Sequence, residues 1–479
     1  MAKNLLLAFV ASAMIVAASR AARQQPAAAD AQPPQQQQPQ QPTDVTTTIS
    51  SERGAQPRLA VPDFLALSTD KETVDAAKVI GRVLWDDLNF EHEFALIPSD
   101  VYASVPQAHS FDDVPFDAWR ELNADGIVVG TVQKTDTGVR VQVRLFNVRD
   151  RQSAFGQEYS GSIANPRLYA HKIADDIHYS QRALHGVAQT KLAFASDRDG
   201  DRVTGTVENR GAKEIYISDY DGENQRRITV GAALNISPTW SPDGRTIAYT
   251  SYKQCVTGRG CTGGLPNIFL QHIFEGVPPE ELTANNSQNF LPVWSPDGTR
   301  IAFMSTRDGN PDIYVMNRDG SNVRRLTNNP AIDDSPTWSP TGTQIAFVSG
   351  RTGNSSPEIF VMEADGLGQR QITREGYADR PTWSPAPFNE IAYAARTGPG
   401  NDIKVMDLAT RQVRQLTDGL GSNESPAFSP NGRHVAFTST RSGKTQVFTI
   451  NRMGQDLKQI TKAGNNTYPN WSNGPAVKN

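Results

Sequence analysis

The chain has 479 residues, enough for two or three domains, and a formal net charge of −4 from 47 basic and 51 acidic side chains. This balance excludes the strongly basic surface that nucleic-acid binding needs, so we expect no nucleic-acid partner. One apolar run at the start is too short to span a bilayer and no second run reaches that length, so we expect a soluble protein that does not span the membrane. We also expect a monomer.

Residues 1–22 have the composition of a secretory signal peptide. Lys3 supplies a positive charge, an apolar core of about fourteen residues follows, and small residues come next. Cleavage fits after Ala22 or after Ala29, and the pattern does not distinguish the two. No Cys follows the apolar core, so we expect export without a lipid anchor.

Residues 23–57 are rich in Gln, Pro and Ala and then in Thr and Ser. Such a segment has too little apolar surface to fold alone, so we expect a disordered leader. Near its end, residues 44–50 include alternating apolar side chains, and this stretch could pair as a β-strand with a partner.

Residues 58–186 have the pattern of a small α/β domain, in which segments with apolar residues at helical spacing alternate with runs of β-branched residues. The predicted helices are 71–89, 116–122 and 167–184, and the predicted strands are 58–67 (interrupted by Pro62), 94–98, 126–132, 139–146 and 157–162. The strands 126–132 and 139–146 form a predicted hairpin across Asp136-Thr-Gly138.

From residue 187 to residue 475 the chain repeats one phrase, whose clearest copies read Trp-Ser-Pro-Asp-Gly from Trp240 and from Trp294. Three further short apolar runs follow each of the first five anchor aromatics, and the last run is a Leu-Thr or Ile-Thr pair. Pro-Asp-Gly or a variant of it forms the hairpin turn between the first and second runs. Four short strands in about 45 residues are typical of a β-propeller blade. The anchor aromatics are Trp240, Trp294, Trp338, Trp383, Phe428 and Trp471.

The two ends of this repeat region are incomplete and complement each other. Residues 191–196 give a second strand without an anchor, and Trp471 closes a first strand with nothing after it. We therefore predict six blades, with the C-terminal strand completing the blade that begins at Lys191, because this pairing removes two open sheet edges. The anchors are predicted to pack between adjacent sheets, with stacking on a sugar or base as the alternative.

The sequence contains no Gly-x-Ser-x-Gly, no His-Glu-x-x-His and no phosphate-binding loop, so we predict no catalytic residue, no cofactor and no metal. His171, His178 and His185 are spaced by seven residues, where metal ligands prefer three or four, and we interpret them as a partly exposed helix face. The segment from Asp197 to Asp201 weakly resembles a calcium loop but lacks the later ligands, and we interpret it as a turn.

Two cysteines, Cys255 and Cys261, lie in a Gly-rich insertion that lengthens one repeat to 54 residues. In an exported chain this pair predicts a disulfide that closes the loop. A metal site is the alternative, although two thiols without a nearby His make a poor ligand set.

The combination resembles the TolB family of periplasmic propellers in the Tol-Pal system. The resemblance spans about residues 44–475. It is carried by Arg58-Leu-Ala-Val-Pro-Asp-Phe, Asp125-Gly-Ile-Val-Val-Gly-Thr-Val, the strand 139–146, the junction 215–225 and the Trp-Ser-Pro-Asp-Gly blades. Peptidase and lyase propellers share the last motif, so the α/β strings make the resemblance specific.

The resemblance implies a non-catalytic periplasmic adaptor that supports outer-membrane integrity and cell division. It implies a TolA-like inner-membrane partner on the segment Val45, Thr47 and Ile49, which here follows an unusually long leader. It implies a Pal-like lipoprotein at one end of the propeller channel, against Gln288, Phe290, Asp334, Asp379, Glu424 and Thr467. Three carboxylates there favour a basic partner or a divalent cation, and ordinary polar loop tips are the alternative.

Two other functions stay open at this point. A propeller hydrolase or polysaccharide lyase would need convergent His, Arg or Glu residues on the inner strands, and only His272 and His434 fall within the repeats. A glycan-binding propeller without Tol partners is the other possibility.

Overall fold

The computed structural model describes residues 48–50, 55–201, 211–231, 233–252, 265–353 and 356–474. The predicted signal peptide, most of the leader with Val45 and Thr47, and both cysteines lie outside these residues and stay predictions. Of the segment predicted to meet a TolA-like partner, Ile49 is described.

The N-terminal part is an α/β structure in which a six-stranded sheet packs against helices. Its strands are β1 Arg58–Ala60, β2 Leu65–Ala66, β3 Ala95–Leu96, β4 Gly126–Thr135, β5 Gly138–Asn147 and β6 Ser153–Gly161. Its helices are α1 Lys71–Phe90, α2 Phe116–Glu121 and α3 Pro166–Arg182, with a 3-10 helix over Ser99–Ser104. The strand order is β3-β1-β4-β5-β6, β2 also pairs with β4, and β4 and β5 form the predicted hairpin.

The sequence explains where α1 begins and which face it buries. The side chain of Asp70 accepts a hydrogen bond from the Thr73 amide at 3.0 Å, which caps the helix start. Ile80, Leu84 and Leu88 recur at helical spacing and are buried against the sheet and α3. The predicted and observed ends of this helix agree within one residue at Phe90.

Within the described part of the chain, the remaining strands form six four-stranded antiparallel sheets, the blades of a propeller. The first three blades contain β30 Asn466–Trp471, β7 Lys191–Ser196, β8 Glu214–Asp219 and β9 Arg226–Arg227; β10 Asn235–Trp240, β11 Thr246–Ser251, β12 Asn267–His272 and β13 Glu280–Glu281; β14 Asn289–Trp294, β15 Arg300–Ser305, β16 Asp312–Asn317 and β17 Arg324–Arg325. The other three contain β18 Asp333–Trp338, β19 Gln344–Ser349, β20 Glu358–Glu363 and β21 Arg370–Gln371; β22 Ala378–Trp383, β23 Glu390–Arg396, β24 Asn401–Asp407 and β25 Val413–Gln415; β26 Asn423–Phe428, β27 His434–Ser439, β28 Gln446–Asn451 and β29 Lys458–Gln459.

The circle closes as predicted, because the last strand completes the first blade. Trp471 pairs with Leu192 across the β30–β7 ladder. The Trp471 indole N–H donates to the Thr190 hydroxyl at 2.6 Å, and the Ser472 amide donates to the Lys191 carbonyl at 2.8 Å. These bonds leave neither edge of the closing pair open.

The anchor aromatics pack between blades, as predicted. Trp240 is buried with Ala193 and Ile217 of the preceding blade and with Ile247 of its own. Trp338 likewise packs on Ile313 of the blade before it. Each anchor therefore fills the wedge between two twisted sheets.

Candidate functional site at the channel mouth

Every innermost strand of the propeller carries the same backbone irregularity. The ladder register shifts between the second and fifth residues of the strand, which is a β-bulge. The third residue has positive φ and the fourth is Pro, which cannot donate to the ladder. The positive-φ residues are Ser237, Leu291, Ser335, Arg380, Ser425 and Tyr468. The bulge turns this part of each strand toward the central channel.

The channel is narrow in its middle and wider at the end where the Trp-Ser-Pro motifs lie. Residues three to five of all six innermost strands line a cavity of about 130 Å³. The Trp-Ser-Pro end of the same strands lines a second cavity of about 320 Å³. The second residue of each strand therefore lies at the opposite mouth of the channel. Five of the partner-binding positions implied by the resemblance are such residues, and the sixth, Gln288, directly precedes β14.

Three of the predicted residues meet around a guanidinium that the sequence analysis did not select. Arg380 lies 3.9 Å from the Asp379 carboxylate and is held over the Tyr468 ring, 4.6 Å from its centre. Asp334 and Glu424, from the blades on either side, act electrostatically on the same guanidinium. We call Asp334, Asp379, Glu424 and Arg380 the rim cluster; three carboxylates against one guanidinium leave it net negative.

Asp334 is the least satisfied member of the rim cluster. Its Oδ1 atom is buried without a hydrogen-bond partner in the described structure. Burial and the neighbouring charge of Asp379 raise the pKa of Asp334 to about 6, against the opposing effect of Arg380. At neutral pH this site therefore holds a desolvated negative charge that a donor from outside could satisfy.

Neighbouring aromatic and basic side chains complete this mouth. The Tyr377 hydroxyl donates to Asp379 at 3.4 Å, and burial together with the charges of Asp379 and Glu424 raises the pKa of Tyr377 to about 12. Arg396 lies over the Tyr377 ring at 4.8 Å. The mouth thus combines an acidic centre with an aromatic wall.

The other predicted residues do not join the rim cluster directly. Lys213 donates to the Thr467 hydroxyl at 3.1 Å, next to Tyr468. The Gln288 amide donates to the Thr306 hydroxyl at 3.0 Å, and the Phe290 ring lies 6.1 Å from that of Tyr252. Gln288 and Phe290 therefore occupy an arc of the mouth lined by uncharged side chains, of which one is polar and one is apolar.

Arg380 could have been found from the repeat itself. It stands immediately before the Pro of the bulge, where other blades have Ser, Leu or Tyr. A cation placed once in a six-fold pattern is a signal, but the sequence does not show that carboxylates of two neighbouring blades surround it.

The metal alternative gains no geometric support at this mouth. Across the residues that the structure describes, no group of three or more His, Cys, Asp or Glu side chains is placed to hold an ion. Asp199 accepts from the Tyr216 hydroxyl at 2.7 Å, and Arg227 pairs with Asp199 and Asp201. The segment 197–201 is therefore a turn fixed by protein partners.

The opposite, motif-bearing side of the propeller contacts the α/β structure. Asn431, in the turn after β26, donates to the buried Glu91 carboxylate at 3.0 Å, and the Val187 amide donates to it at 3.1 Å. Burial raises the pKa of Glu91 to about 8, although the charge of Arg433 and the hydrogen bonds act against it. His434 stacks on Phe90 with ring centres 4.0 Å apart.

A buried ionic network also spans this contact. His171 donates through Nδ1 to Asp87 at 2.8 Å, and its Nε2 lies 3.6 Å from Asp219 of the first blade. Tyr220 donates to the other oxygen of Asp87 at 2.8 Å. Burial opposes the charge on His171, but the hydrogen bonds and charges of Asp219 and Asp87 outweigh it and raise the pKa of His171 to about 9.

The expected partial exposure is therefore wrong for His171 and His178, whereas His185 is exposed. His171 and His178 are 3% and 1% exposed. His185 lies beyond the end of α3 at Arg182. The helix face is covered by the propeller and the sheet, and burial lowers the pKa of His178 to about 4.

Ile49 is buried in the α/β core. Its amide donates to Gln181 Oε1 at 2.8 Å, and its side chain packs so closely on Gly126 that a Cβ there would lie 3.4 Å from Ile49 Cγ2. In this structure the segment predicted to meet a TolA-like partner therefore ends in a side chain that the chain itself covers.

In the described ranges, no helix is long and apolar enough to cross a membrane.

Comparison with protein families gives two matches. Residues 182–420 and 373–475 match the TolB β-propeller domain, and residues 45–154 match the TolB amino-terminal domain.

Two curated relatives and one solved structure carry the same description. A Tol-Pal system protein TolB from Desulfosudis oleivorans is 33% identical over 271 residues, covering 56% of this chain and 57% of that relative. Its counterpart from Ruthia magnifica is 27% identical over 432 residues, covering 89% of this chain and 94% of the relative. The crystal structure of TolB from Acinetobacter baumannii is 23% identical with a TM-score of 0.71, covers 87% of this chain and 97% of that one, and supports the fold.

Proposed function

From the premise that this chain belongs to the TolB family, we propose that it is a non-catalytic periplasmic adaptor of the Tol-Pal system. In this proposal it binds a Pal-like lipoprotein at the channel mouth and a TolA-like inner-membrane protein through Val45, Thr47 and Ile49. It thereby supports outer-membrane integrity and cell division.

The observation that carries the proposal is the Asp334 Oδ1 atom of the rim cluster, which is buried without a hydrogen-bond partner in the described structure. A buried carboxylate oxygen without a donor costs free energy in the isolated protein, and a partner that brings an N–H or a cation removes that cost. The apolar arc at Phe290 and the aromatic side chains Tyr377 and Tyr468 supply a surface for the remainder of such a partner. Both features suit recognition of a protein.

The TolA-like part of the proposal has a physical condition. Ile49 is buried, and its amide is bonded to Gln181. Pairing residues 45–49 with another strand therefore competes with these contacts, so weakening them should favour the partner.

The adaptor proposal is tested by measuring the affinity of the exported chain for a purified Pal-like lipoprotein. Asp334→Lys with Glu424→Lys should reduce binding at least tenfold, since like charges then face the basic donor. The matched control is Glu223→Lys with Glu280→Lys, two exposed carboxylates away from this mouth, which should leave affinity unchanged. Equal affinity in both double variants, or turnover of a cell-wall polymer by the pure protein, would refute the proposal.

A further inference from the structure

A further cavity lies in the α/β structure, and its lining residues are far from the rim cluster in the sequence. It is a cleft of about 800 Å³ between α1, the 3-10 helix with the loop after it, and the end of β1. This volume is typical of sites that hold a small organic molecule. Its walls include Val61, Leu65, Trp85, Tyr102, Trp119 and Val129.

The aromatic wall of the cleft is fixed by hydrogen bonds. The Trp85 indole donates to the Ile97 carbonyl at 3.0 Å, and the Tyr102 hydroxyl donates to the same carbonyl at 2.8 Å. The Val61 amide donates to Tyr102 at 2.9 Å, and the Trp119 ring meets that of Tyr102 edge-on at 5.2 Å. These polar atoms are satisfied internally, so the ring faces present a preformed apolar wall.

Gly81 lies where the chain crosses α1, against the lining residues Pro62 and Asp63. A Cβ at this position would lie 2.9 Å from Asp63 Cα and 3.1 Å from the Pro62 carbonyl oxygen. Only Gly permits this approach, which packs residues 62 and 63 directly on the helix. The cleft therefore opens along α1 beside this crossing.

Two cations stand on the lip of the cleft, one helical turn apart. Lys78 and Arg82 are exposed and line the cavity, and in the described structure neither makes a hydrogen bond or an ion pair within 4.0 Å. Asp86 lies one turn further on. Burial raises its pKa, and the positive charges of Lys458 and Arg82 act in the opposite direction with a smaller effect. Asp63 is the remaining carboxylate on the lip. The lip thus carries two adjacent cations without ion pairs, beside the carboxylates of Asp63 and Asp86, over an apolar floor.

We propose that this cleft binds an amphiphilic anion, an apolar chain or ring that ends in one carboxylate. The apolar body would lie between Trp85, Tyr102 and Val129, and the carboxylate would lie between Lys78 and Arg82. Two cations at i and i+4 on one helix suit a single acidic group better than a neutral or cationic head. This site is separate from the channel mouth and does not depend on the adaptor proposal.

The site is tested with dodecanoate as the probe, read by displacement of 8-anilinonaphthalene-1-sulfonate fluorescence from the full exported chain. Dodecanol and dodecyltrimethylammonium carry the same tail with a neutral and a cationic head. We expect Lys78→Glu with Arg82→Glu to weaken dodecanoate binding about tenfold and to leave dodecanol binding unchanged. The matched control, Lys172→Glu with Lys444→Glu, reverses two exposed cations elsewhere and should change neither.

A second variant separates the tail from the head. Ala103→Phe adds a ring to the wall of the cleft, so it should weaken dodecanoate and dodecanol alike by at least about fivefold. Unfolding temperatures within a few degrees of the unsubstituted chain confirm that the variants fold. The proposal is overturned if dodecanoate binds equally to both charge-reversed doubles, if the cationic amphiphile binds more tightly, or if Ala103→Phe has no effect.

Discussion

The contact between the α/β structure and the propeller contrasts with the channel mouth at the other end of the blades. At the contact, Asp87 has two donors within 2.8 Å and Glu91 has two within 3.1 Å. At the mouth, the charges of three carboxylates act on Arg380, and one oxygen of Asp334 has no hydrogen-bond partner among the described residues. The carboxyl groups of Asp87 and Glu91 thus join two parts of the chain, whereas the unpaired oxygen of Asp334 is available to a donor from a partner.

The strongest way to break the contact is Asp87→Ala. The substitution leaves the His171 imidazolium and the Tyr220 hydroxyl buried without their acceptor, so the free energy of unfolding should fall by about 3–5 kcal/mol. Chemical denaturation measures this loss. Asp75→Ala on the exposed face of the same helix, whose ion pair with Lys71 is open to solvent, should cost less than about 0.5 kcal/mol. Similar losses in the two variants would remove the distinction between contact and surface.

The contact should also be sensitive to alkaline pH. The pKa of His171 is raised from 6.5 to about 9 in the folded chain, so its stabilisation is fully present below pH 6.5 and disappears as the pH rises through 9. The loss is of the order of 3 kcal/mol. Glu91, whose pKa is raised from 4.5 to about 8, acts in the same direction at lower pH.

The measurement for this prediction is the free energy of unfolding between pH 6 and pH 10. His171→Gln should flatten the decline above pH 6.5, because Gln does not titrate. The part of the decline due to Glu91 should persist in this variant. An unchanged slope in His171→Gln would show that His171 is not charged in the folded state.

The sequence predicted the blades and their closure, because each blade is a local pattern and the two incomplete ends complement each other. It placed the fourth strands slightly too far along the chain. In the third blade the strand is Arg324–Arg325, and Thr327 instead accepts from the Ile313 amide through its hydroxyl at 2.9 Å. A Leu-Thr pair therefore marks a side-chain bond next to the strand.

The candidate site could be predicted only in part. The resemblance to the TolB family implied a partner-binding role for Asp334, Asp379 and Glu424, each of which precedes a Pro by two residues. It did not reveal Arg380 at their centre, because that arrangement brings together three blades. The burial of His171 was missed for the same reason, since the propeller residues that cover it lie far along the chain.

Arg380→Gln is the sharpest test of the rim cluster as a unit. Removing the guanidinium leaves three carboxylates facing one another, and at neutral pH the free energy of unfolding should fall by about 2 kcal/mol. The loss should shrink when the pH is lowered to 5, because Asp334, already at a pKa of about 6, then takes up a proton. Thermal unfolding at both pH values measures this. A pH-independent loss would indicate lost packing on Tyr468 instead.

The smallest expected effect has the opposite sign. The folded pKa of Asp334 lies above that of an ordinary Asp, so its ionisation destabilises the fold as the pH rises through 6. Asp334→Asn removes that charge and should raise the free energy of unfolding at pH 7 by about 1 kcal/mol, while weakening a Pal-like partner. Glu280→Gln on an exposed edge strand should change neither quantity. A substitution that stabilises the chain and impairs binding marks a charge retained for its partner, whereas a destabilised Asp334→Asn would place this residue with the structural carboxylates of the contact.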